Sequence, residues 1–129
     1  AFANQLISID ERTLAVKGIT AIEGMPRPVT YLGGPGLAAV GEYAGRRIEF
    51  LTPNADGTWT PVATLGTCAK VHALVFHEPS SYLYFTDICG TYRVRIPPGR
   101  WWEDAATGRG VRPEASSPSP QGGSQENRG

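Results

Sequence analysis

Glycine and proline interrupt the chain at intervals of roughly 8–15 residues, and this spacing limits the fold more than any other feature of the sequence. A helix of ordinary length needs an apolar stripe with a period near 3.6 residues, and no stretch of about ten residues carries one. Short apolar or alternating runs lie between the breaks instead. We therefore expect an all-β, antiparallel fold, either a sandwich or a compact barrel.

The composition changes near residue 105. The chain of 129 residues has the length of a single domain, and we expect the β-rich domain to span residues 1–104. Residues 105–129 are rich in glycine, serine and proline, and their one branched aliphatic residue is Val111. Such a segment buries too little apolar surface to offset its conformational entropy, so we predict a disordered tail.

The clearest pair of strands lies between the only two cysteines, Cys68 and Cys89. Residues 70–76 and 81–88 are apolar on both faces, which predicts a central hairpin that is covered on both sides. The even number of cysteines favours a disulfide and an oxidising compartment.

Two registers of this hairpin are open, and the cysteines discriminate between them. A four-residue loop at 77–80 places the cysteines directly opposite each other, whereas a two-residue loop at 79–80 shifts the pairing by two positions. Only directly opposed β-carbons approach the roughly 3.5–4.5 Å that a disulfide requires. We therefore predict the four-residue loop, in which Lys70 pairs with Asp87 and Leu74 with Leu83.

The stretches 37–50 and 82–96 share a pattern. In each, an apolar strand ends in an acidic residue, Glu42 or Asp87, and a glycine follows three residues later. An arginine and a branched apolar residue then begin the next strand, as Arg47-Ile48 in one stretch and Arg93-Val94 in the other. A period of about 45 residues with several strands per unit is typical of propeller blades.

Residues 37–96 resemble blades of NHL-type and related six-bladed β-propellers, which share an apolar strand, a Pro-Ser turn and a Leu-Tyr-x-Thr-Asp-like strand. The resemblance implies two blades, and a complete propeller needs at least about four. It therefore implies a two-blade propeller-like unit that is a fragment or that closes by assembly, as in small lectins. It carries no sugar-binding residue onto this sequence. The two-blade unit is the alternative to the sandwich or compact barrel expected above, in which case the likeness is coincidental.

The overall charge argues against nucleic acid as a partner. Twelve basic and twelve acidic residues give a formal net charge of zero, whereas a phosphate backbone calls for a basic face. No apolar run reaches the roughly 18 residues of a membrane-spanning helix. The chain begins at Ala1, as expected of a secreted protein that has lost a signal peptide or of a piece cut from a longer chain.

Aromatic residues and proline-flanked loops are the best candidates for binding. Trp101 and Trp102 are adjacent, and neighbouring residues of a strand point to opposite faces, so we expect at least one indole to be exposed or to cap an edge. The alternative is that both indoles cover the bottom of the core. The loops at 24–28 and 77–80 are stiffened by proline and lose little entropy on binding. The candidate binding residues are Met25, Arg27, His77, Glu78, Trp101 and Trp102.

Catalytic and metal sites receive little support from the sequence. No motif for a serine nucleophile, a zinc protease or a phosphate-binding loop is present, and no cofactor is expected. A zinc site made of His72, His77 and the two cysteines lacks the usual spacing. A ribonuclease or hydrolase would need side chains such as Glu49, His72, Arg93 and Arg95 to converge.

We therefore expect a secreted, non-catalytic binding protein that resembles an effector or a protease inhibitor. Its partner would be an extracellular protein, with a protease as one case, or a glycan. A small lectin assembled from propeller-like blades is the first alternative, and a small secreted ribonuclease or hydrolase is the second.

Overall fold

The computed structural model describes residues 4–103 and the backbone of residues 113–115. The described part is all-β, without an α-helix. The strands are β1 (Gln5–Ile9), β2 (Val16–Ala21), β3 (Pro26–Leu32), β4 (Leu37–Glu42), β5 (Arg47–Pro53), β6 (Trp59–Gly66), β7 (Ala73–His77), β8 (Tyr82–Asp87), β9 (Gly90–Arg95) and β10 (Pro113–Ala115). They form three antiparallel sheets: the hairpin β1-β2 and two four-stranded sheets with the orders β3-β4-β5-β6 and β10-β9-β8-β7. The sheets stack in a sandwich-like arrangement, and none of the described sheets closes into a barrel. The predicted antiparallel all-β fold is confirmed.

The middle layer is the sheet β3–β6, and both of its faces are covered. Every residue of β4 is buried. On one face Phe50 belongs to a large core that it shares with Leu83 of the third sheet. On the opposite face Val40 and Leu51 pack with Ile22, next to the hairpin β1-β2. Full burial of each such side chain contributes about 1.5–3 kcal/mol, so these two interfaces hold the three layers together.

Trp59 attaches the hairpin to the middle sheet. Its indole Nε1 donates a hydrogen bond to Ser8 Oγ at 2.7 Å, and its backbone amide donates one to Thr20 Oγ1 at 2.8 Å. Gly18 of the hairpin lies so close to Gly57 that a β-carbon there would overlap the Gly57 backbone. The hairpin is therefore held by both polar and steric complementarity.

The hairpin β7-β8 is present, but its predicted register is wrong by two residues. Val75 pairs with Tyr84, and His77 pairs with Tyr82. Phe76 rather than Leu74 therefore lies opposite Leu83, which is the pairing of the other register, the one with a loop at 79–80. The strands themselves end at His77 and Tyr82, so residues 78–81 connect them.

The disulfide between Cys68 and Cys89 is present, with a Cα–Cα distance of 6.3 Å. The predicted register required Cys68 to lie in a strand that pairs directly with the strand of Cys89. Cys68 instead precedes β7 in a loop, and this loop brings the two sulfurs together without direct strand pairing. Asp87 does not pair with Lys70 either. Its carboxylate accepts hydrogen bonds from the amides of Cys89 and Gly90 in the following turn, at 2.8 and 3.1 Å.

The prediction that this hairpin is covered on both faces is also wrong. Strand β7 is the edge of the third sheet, and Val75 on its outer face is 61% exposed. The doubly covered strand is β4 of the middle sheet. The predicted disordered tail lies outside the described residues, apart from the backbone of Pro113–Ala115, which pairs with β9 as β10.

The internal repeat is clearest in two turns. In the β3–β4 turn the amide of Gly36 donates to Leu32 O at 2.8 Å, and in the β7–β8 turn the amide of Ser81 donates to His77 O at 2.9 Å. Gly36 and Ser81 both have a positive φ, of 74° and 61°. The two turns therefore share this hydrogen bond and a positive φ at positions 45 residues apart.

The repeat changes its spacing after the acidic residues. Glu42 pairs with Arg47, whereas Asp87 pairs with Gly90, so the second loop is two residues shorter than the first. The sequence pattern aligned Arg47-Ile48 with Arg93-Val94, and the structure shows that these pairs do not occupy equivalent positions. Pairing shows that Leu51 and Val94 are the equivalent residues, because Leu51 lies opposite Ala38 and Val94 lies opposite Leu83.

Candidate binding surface

The loop that contains Met25 is tied to the turn between β4 and β5. The amides of Tyr43 and Ala44 donate hydrogen bonds to the carbonyl oxygens of Met25 and Gly24, both at 2.9 Å. Met25 has a φ of 60°, and its side chain is exposed. The loop is therefore held in one conformation by the turn beneath it, as the prediction of a stiff loop requires.

Tyr43 lies at the centre of a group of cationic side chains. The guanidinium of Arg27 lies 4.5 Å from the centre of its ring, and the ammonium of Lys70 lies 4.8 Å from it. The ring of His72 meets Tyr43 edge-on, with 5.4 Å between centroids. We call Met25, Arg27, Tyr43, Lys70 and His72 the Tyr43 surface. Cation–π contacts of this kind contribute about 0.5–1 kcal/mol each at exposed sites and hold the cations in place.

The two cations of the Tyr43 surface form no ion pair with any described carboxylate. The side chains of Arg27 and Lys70 are both exposed. Glu42 precedes Tyr43 in sequence, but its side chain is fully buried and its carboxylate lies 2.7 Å from Arg47 Nε. Burial, and next the neighbouring Glu49, raise the pKa of Glu42 to about 7. The surface is therefore suited to an acidic ligand.

His77 and Glu78 lie at the other end of β7 and do not join the Tyr43 surface. His77 Nδ1 and Ser80 Oγ are 2.7 Å apart, and Glu78 Oε2 accepts a hydrogen bond from the amide of Gly33 at 2.8 Å. Both side chains are exposed, but each is engaged within or between turns. The six predicted binding residues are thus distributed over three separate regions, and of these only Met25 and Arg27 belong to the Tyr43 surface.

Trp101 and Trp102 are both buried, with 5% and 8% of their surface exposed. Trp101 packs edge-on against Phe50 at 5.3 Å between centroids, and the two indoles meet edge-on at 5.9 Å. The prediction of an exposed or edge-capping indole is therefore wrong, and the alternative, in which both indoles cover the core, is confirmed. Residues 101–103 form a short 3₁₀ turn rather than a strand, so the alternation on which that prediction rested does not apply.

The set of residues considered for a hydrolase does not converge. Glu49 pairs with Val40 in the middle sheet, and Arg93 pairs with Tyr84 in the third sheet, where its guanidinium lies over the ring of Tyr82 at 4.5 Å. His72 packs on Tyr43. Among the described residues no group of three or more His, Cys, Asp or Glu side chains is arranged to hold a metal ion.

Sequence reasoning missed Tyr43 and Lys70. Neither residue belongs to a recognisable motif, and they meet because the turn after β4 lies beside the loop that precedes β7. The proximity of β4 and β7 follows from the stacking of two sheets, which no local pattern encodes.

Comparison of the chain with models of protein families, with curated proteins and with solved structures found no match. No helix in the described part of the chain is long and apolar enough to cross a membrane.

Proposed function

We propose that the chain is a secreted, non-catalytic binding protein that engages a partner protein through the Tyr43 surface. The observation that carries this proposal is the Tyr43 ring, which is flanked by Arg27 and Lys70, two exposed cations that form no ion pair within the described part. The disulfide supports an oxidising, extracellular location.

The chemistry of the surface favours an acidic segment as the ligand. Arg27 offers a planar fork of donors that suits a carboxylate, and tyrosine and arginine are the residue types that most often dominate the binding energy of interfaces. A partner also benefits from the rigid 24–28 loop, because little entropy is lost when it binds. Insertion of this loop into the cleft of a protease is the inhibitor-like form of the same proposal.

A second candidate function is a small lectin that assembles from propeller-like blades. The two four-stranded sheets, with similar turns at Gly36 and Ser81, are the observation that favours this alternative. The buried Trp101 and Trp102 leave it without the stacking platform that the sequence suggested. It predicts an oligomer in size-exclusion chromatography and binding on a glycan array.

Affinity capture from the medium into which the protein is secreted tests the first proposal. We expect the wild type to retain a protein that the double variant Arg27→Ala/Lys70→Ala does not retain. The matched control is Lys17→Ala/Arg95→Ala, which removes the same charges from exposed positions elsewhere. Equal retention by both double variants, or turnover of RNA or peptide substrates without a retained protein, would overturn the proposal.

A further inference from the structure

The disulfide is exposed and lies close in sequence to two residues of the Tyr43 surface. Cys68 and Cys89 are both exposed, so a thiol from solution can reach the bond. Cys68 precedes Lys70 by two residues and His72 by four, and both of these residues belong to the Tyr43 surface. The bond is therefore part of the segment that carries two members of this surface.

The segment 67–72 is anchored at both ends without help from the sulfurs. The amide of Thr67 donates a hydrogen bond to Arg46 O at 3.0 Å, and the amide of His72 donates one to Thr86 O at 2.9 Å. Neither contact involves the disulfide. Cleavage of the S–S bond should therefore leave both ends of the segment in place.

Between these anchors, residues 68–70 have few backbone contacts. The carbonyl of Ala69 accepts a hydrogen bond from Thr67 Oγ1, which lies in the same segment, at 2.7 Å. The amide of Ala69 donates to Asp87 Oδ2 at 3.4 Å, and this is the one backbone hydrogen bond from residues 68–70 to other parts of the described chain. The disulfide therefore supplies most of the restraint on these three residues.

Lys70 depends on this restraint more than the rest of the Tyr43 surface does. Its ammonium lies 4.8 Å from the centre of the Tyr43 ring. Arg27 belongs to β3, and the amide of Tyr43 donates a 2.9 Å hydrogen bond to Met25 O, so these three residues are held outside the segment. Fixing the backbone of the released residues 68–70 would cost more entropy than one exposed cation–π contact offsets. Lys70 would then leave the ring while Arg27 stays.

We propose that the disulfide is a redox switch of the Tyr43 surface. In the oxidised protein Lys70 lies over Tyr43, and in the reduced protein it leaves the ring, so the surface loses one of its two fixed cations. The consequence for binding rests on the proposed function: an acidic ligand binds the oxidised protein more tightly than the reduced protein. The release of Lys70 itself does not depend on that function.

The reductant is a dithiol, and the reaction is thiol–disulfide exchange. A thiolate of the dithiol attacks the sulfur of one cysteine, and the S–S bond breaks with its electron pair on the other cysteine, which takes up a proton. The second thiolate of the reductant then attacks its partner sulfur in the mixed disulfide and displaces the first cysteine, which is also protonated. Two electrons and two protons pass to the cysteines, and the dithiol becomes a disulfide.

The small number of lysines makes the release of Lys70 directly measurable. Lys17 and Lys70 are the only lysines of the chain, and reductive methylation with isotope-labelled formaldehyde labels both while keeping their charge. We expect NMR of the oxidised protein to show the Lys70 methyl signal shifted upfield by the Tyr43 ring, and the variant Tyr43→Leu to lack that shift. Dithiothreitol should move the Lys70 signal to its position in Tyr43→Leu. The signal of Lys17, the internal control, should not move.

Circular dichroism of the same reduced sample shows whether the release is local. Retained β-structure together with a displaced Lys70 signal supports the switch. The proposal is wrong if the Lys70 signal stays in place although alkylation shows both thiols to be free. It is also wrong if reduction unfolds the domain, since the bond would then hold the whole fold together rather than one segment.

Binding is tested separately with a fluorescein-labelled hexaglutamate peptide at neutral pH. Fluorescence anisotropy should show about two- to fivefold weaker binding to the reduced wild type than to the oxidised wild type, the effect of losing one exposed charge pair. Lys70→Ala should bind this weakly in both redox states, and Lys17→Ala, the matched control, should behave as the wild type does.

The outcomes separate the switch from the proposed function. Equal affinities of the oxidised and reduced wild type for the peptide would overturn the switch. If the oxidised wild type does not bind hexaglutamate, the acidic ligand of the proposed function is wrong, and the NMR signal of Lys70 still decides whether the switch exists.

Discussion

Glu78 accepts a hydrogen bond from the backbone amide of Gly33 at 2.8 Å, and the two residues are 45 positions apart. Gly33 is the first residue after β3, and Glu78 is the first residue after β7. The bond therefore joins equivalent positions of two equivalent turns and connects the middle sheet to the third sheet at its exposed end. A β-carbon at Gly33 would lie 2.6 Å from Glu78 Oε2, so a larger residue there would displace the carboxylate from this position.

We expect Glu78→Ala to lower the free energy of unfolding by about 1 kcal/mol, because it removes the acceptor for the Gly33 amide. Urea denaturation measures this loss. Glu78→Gln keeps a carbonyl acceptor of the same length and should retain most of the stability. If alanine and glutamine have equal effects, the hydrogen bond makes no contribution of its own.

Gly41→Ala should destabilise the fold by about 1–3 kcal/mol through overpacking. A β-carbon at Gly41 would lie 2.6 Å from Val71 Cγ1 and 2.7 Å from Pro28 Cγ, in the doubly covered strand β4. Gly66, the last residue of β6, is the control, because a β-carbon there meets no atom within 4 Å. Thermal or urea denaturation should show Gly66→Ala within about 0.5 kcal/mol of the wild type. Equal losses at both positions would refute the close approach of Val71.

Glu42 should make the protein less stable as the pH rises from 4.5 to 7. Its pKa is raised from 4.5 to about 7 in the folded state, first by burial and next by Glu49. Between these values the folded state binds more protons than the unfolded state, so the free energy of unfolding falls with pH, by an amount on the order of 1–3 kcal/mol, and levels off above about pH 7.

Urea denaturation at several pH values, for the wild type and Glu42→Gln, isolates this effect. The glutamine variant cannot titrate at residue 42, so its curve should lack the decline, whatever its absolute stability. The lowered pKa values of Asp10 and Asp56, which arise from hydrogen bonds to Thr13 and Thr58, influence stability below about pH 4 and leave this window undisturbed. Parallel curves for the two proteins would contradict the prediction.

Replacement of both Cys68 and Cys89 by alanine should lower the free energy of unfolding by about 3 kcal/mol, because the disulfide closes a segment with a sequence separation of 21 in the unfolded chain. Denaturation under non-reducing conditions measures the loss, and the wild type under strong reductant should approach the double variant. Alkylation of the native, untreated protein should detect no free thiol. Two reactive thiols in the native protein would show that the disulfide is absent, and the proposal of secretion would then lose its main support.

Much of the strand pattern could be predicted because local chemistry determines it. β1 and β4 begin and end where the apolar runs do, and Pro61 lies in an edge strand, where a missing amide is tolerated. The register of β7 and β8 could not be predicted. The disulfide was taken to require direct opposition, whereas the loop around Cys68 supplies the freedom that a strand lacks.

The candidate site was less predictable than the fold. Met25 and Arg27 were identified from a stiff, proline-flanked loop, and that loop does support one edge of the Tyr43 surface. Lys70 and His72 join it only because two sheets stack, and the burial of Trp101 depends on a core formed by distant strands. Such relationships depend on tertiary packing, which neither periodicity nor local motifs record.

The composition of β4 has a consequence for how sequences of this kind can vary. Its six residues, Leu37–Glu42, form the shared wall between two cores and include two alanines and a glycine. Enlarging any of these small side chains would displace one neighbouring layer or the other, with no solvent-facing side to relieve the crowding. Larger side chains that the hairpin β1-β2 tolerates on its exposed face should therefore destabilise the fold when they are placed in β4. Among related sequences, β4 should be the segment that changes most slowly.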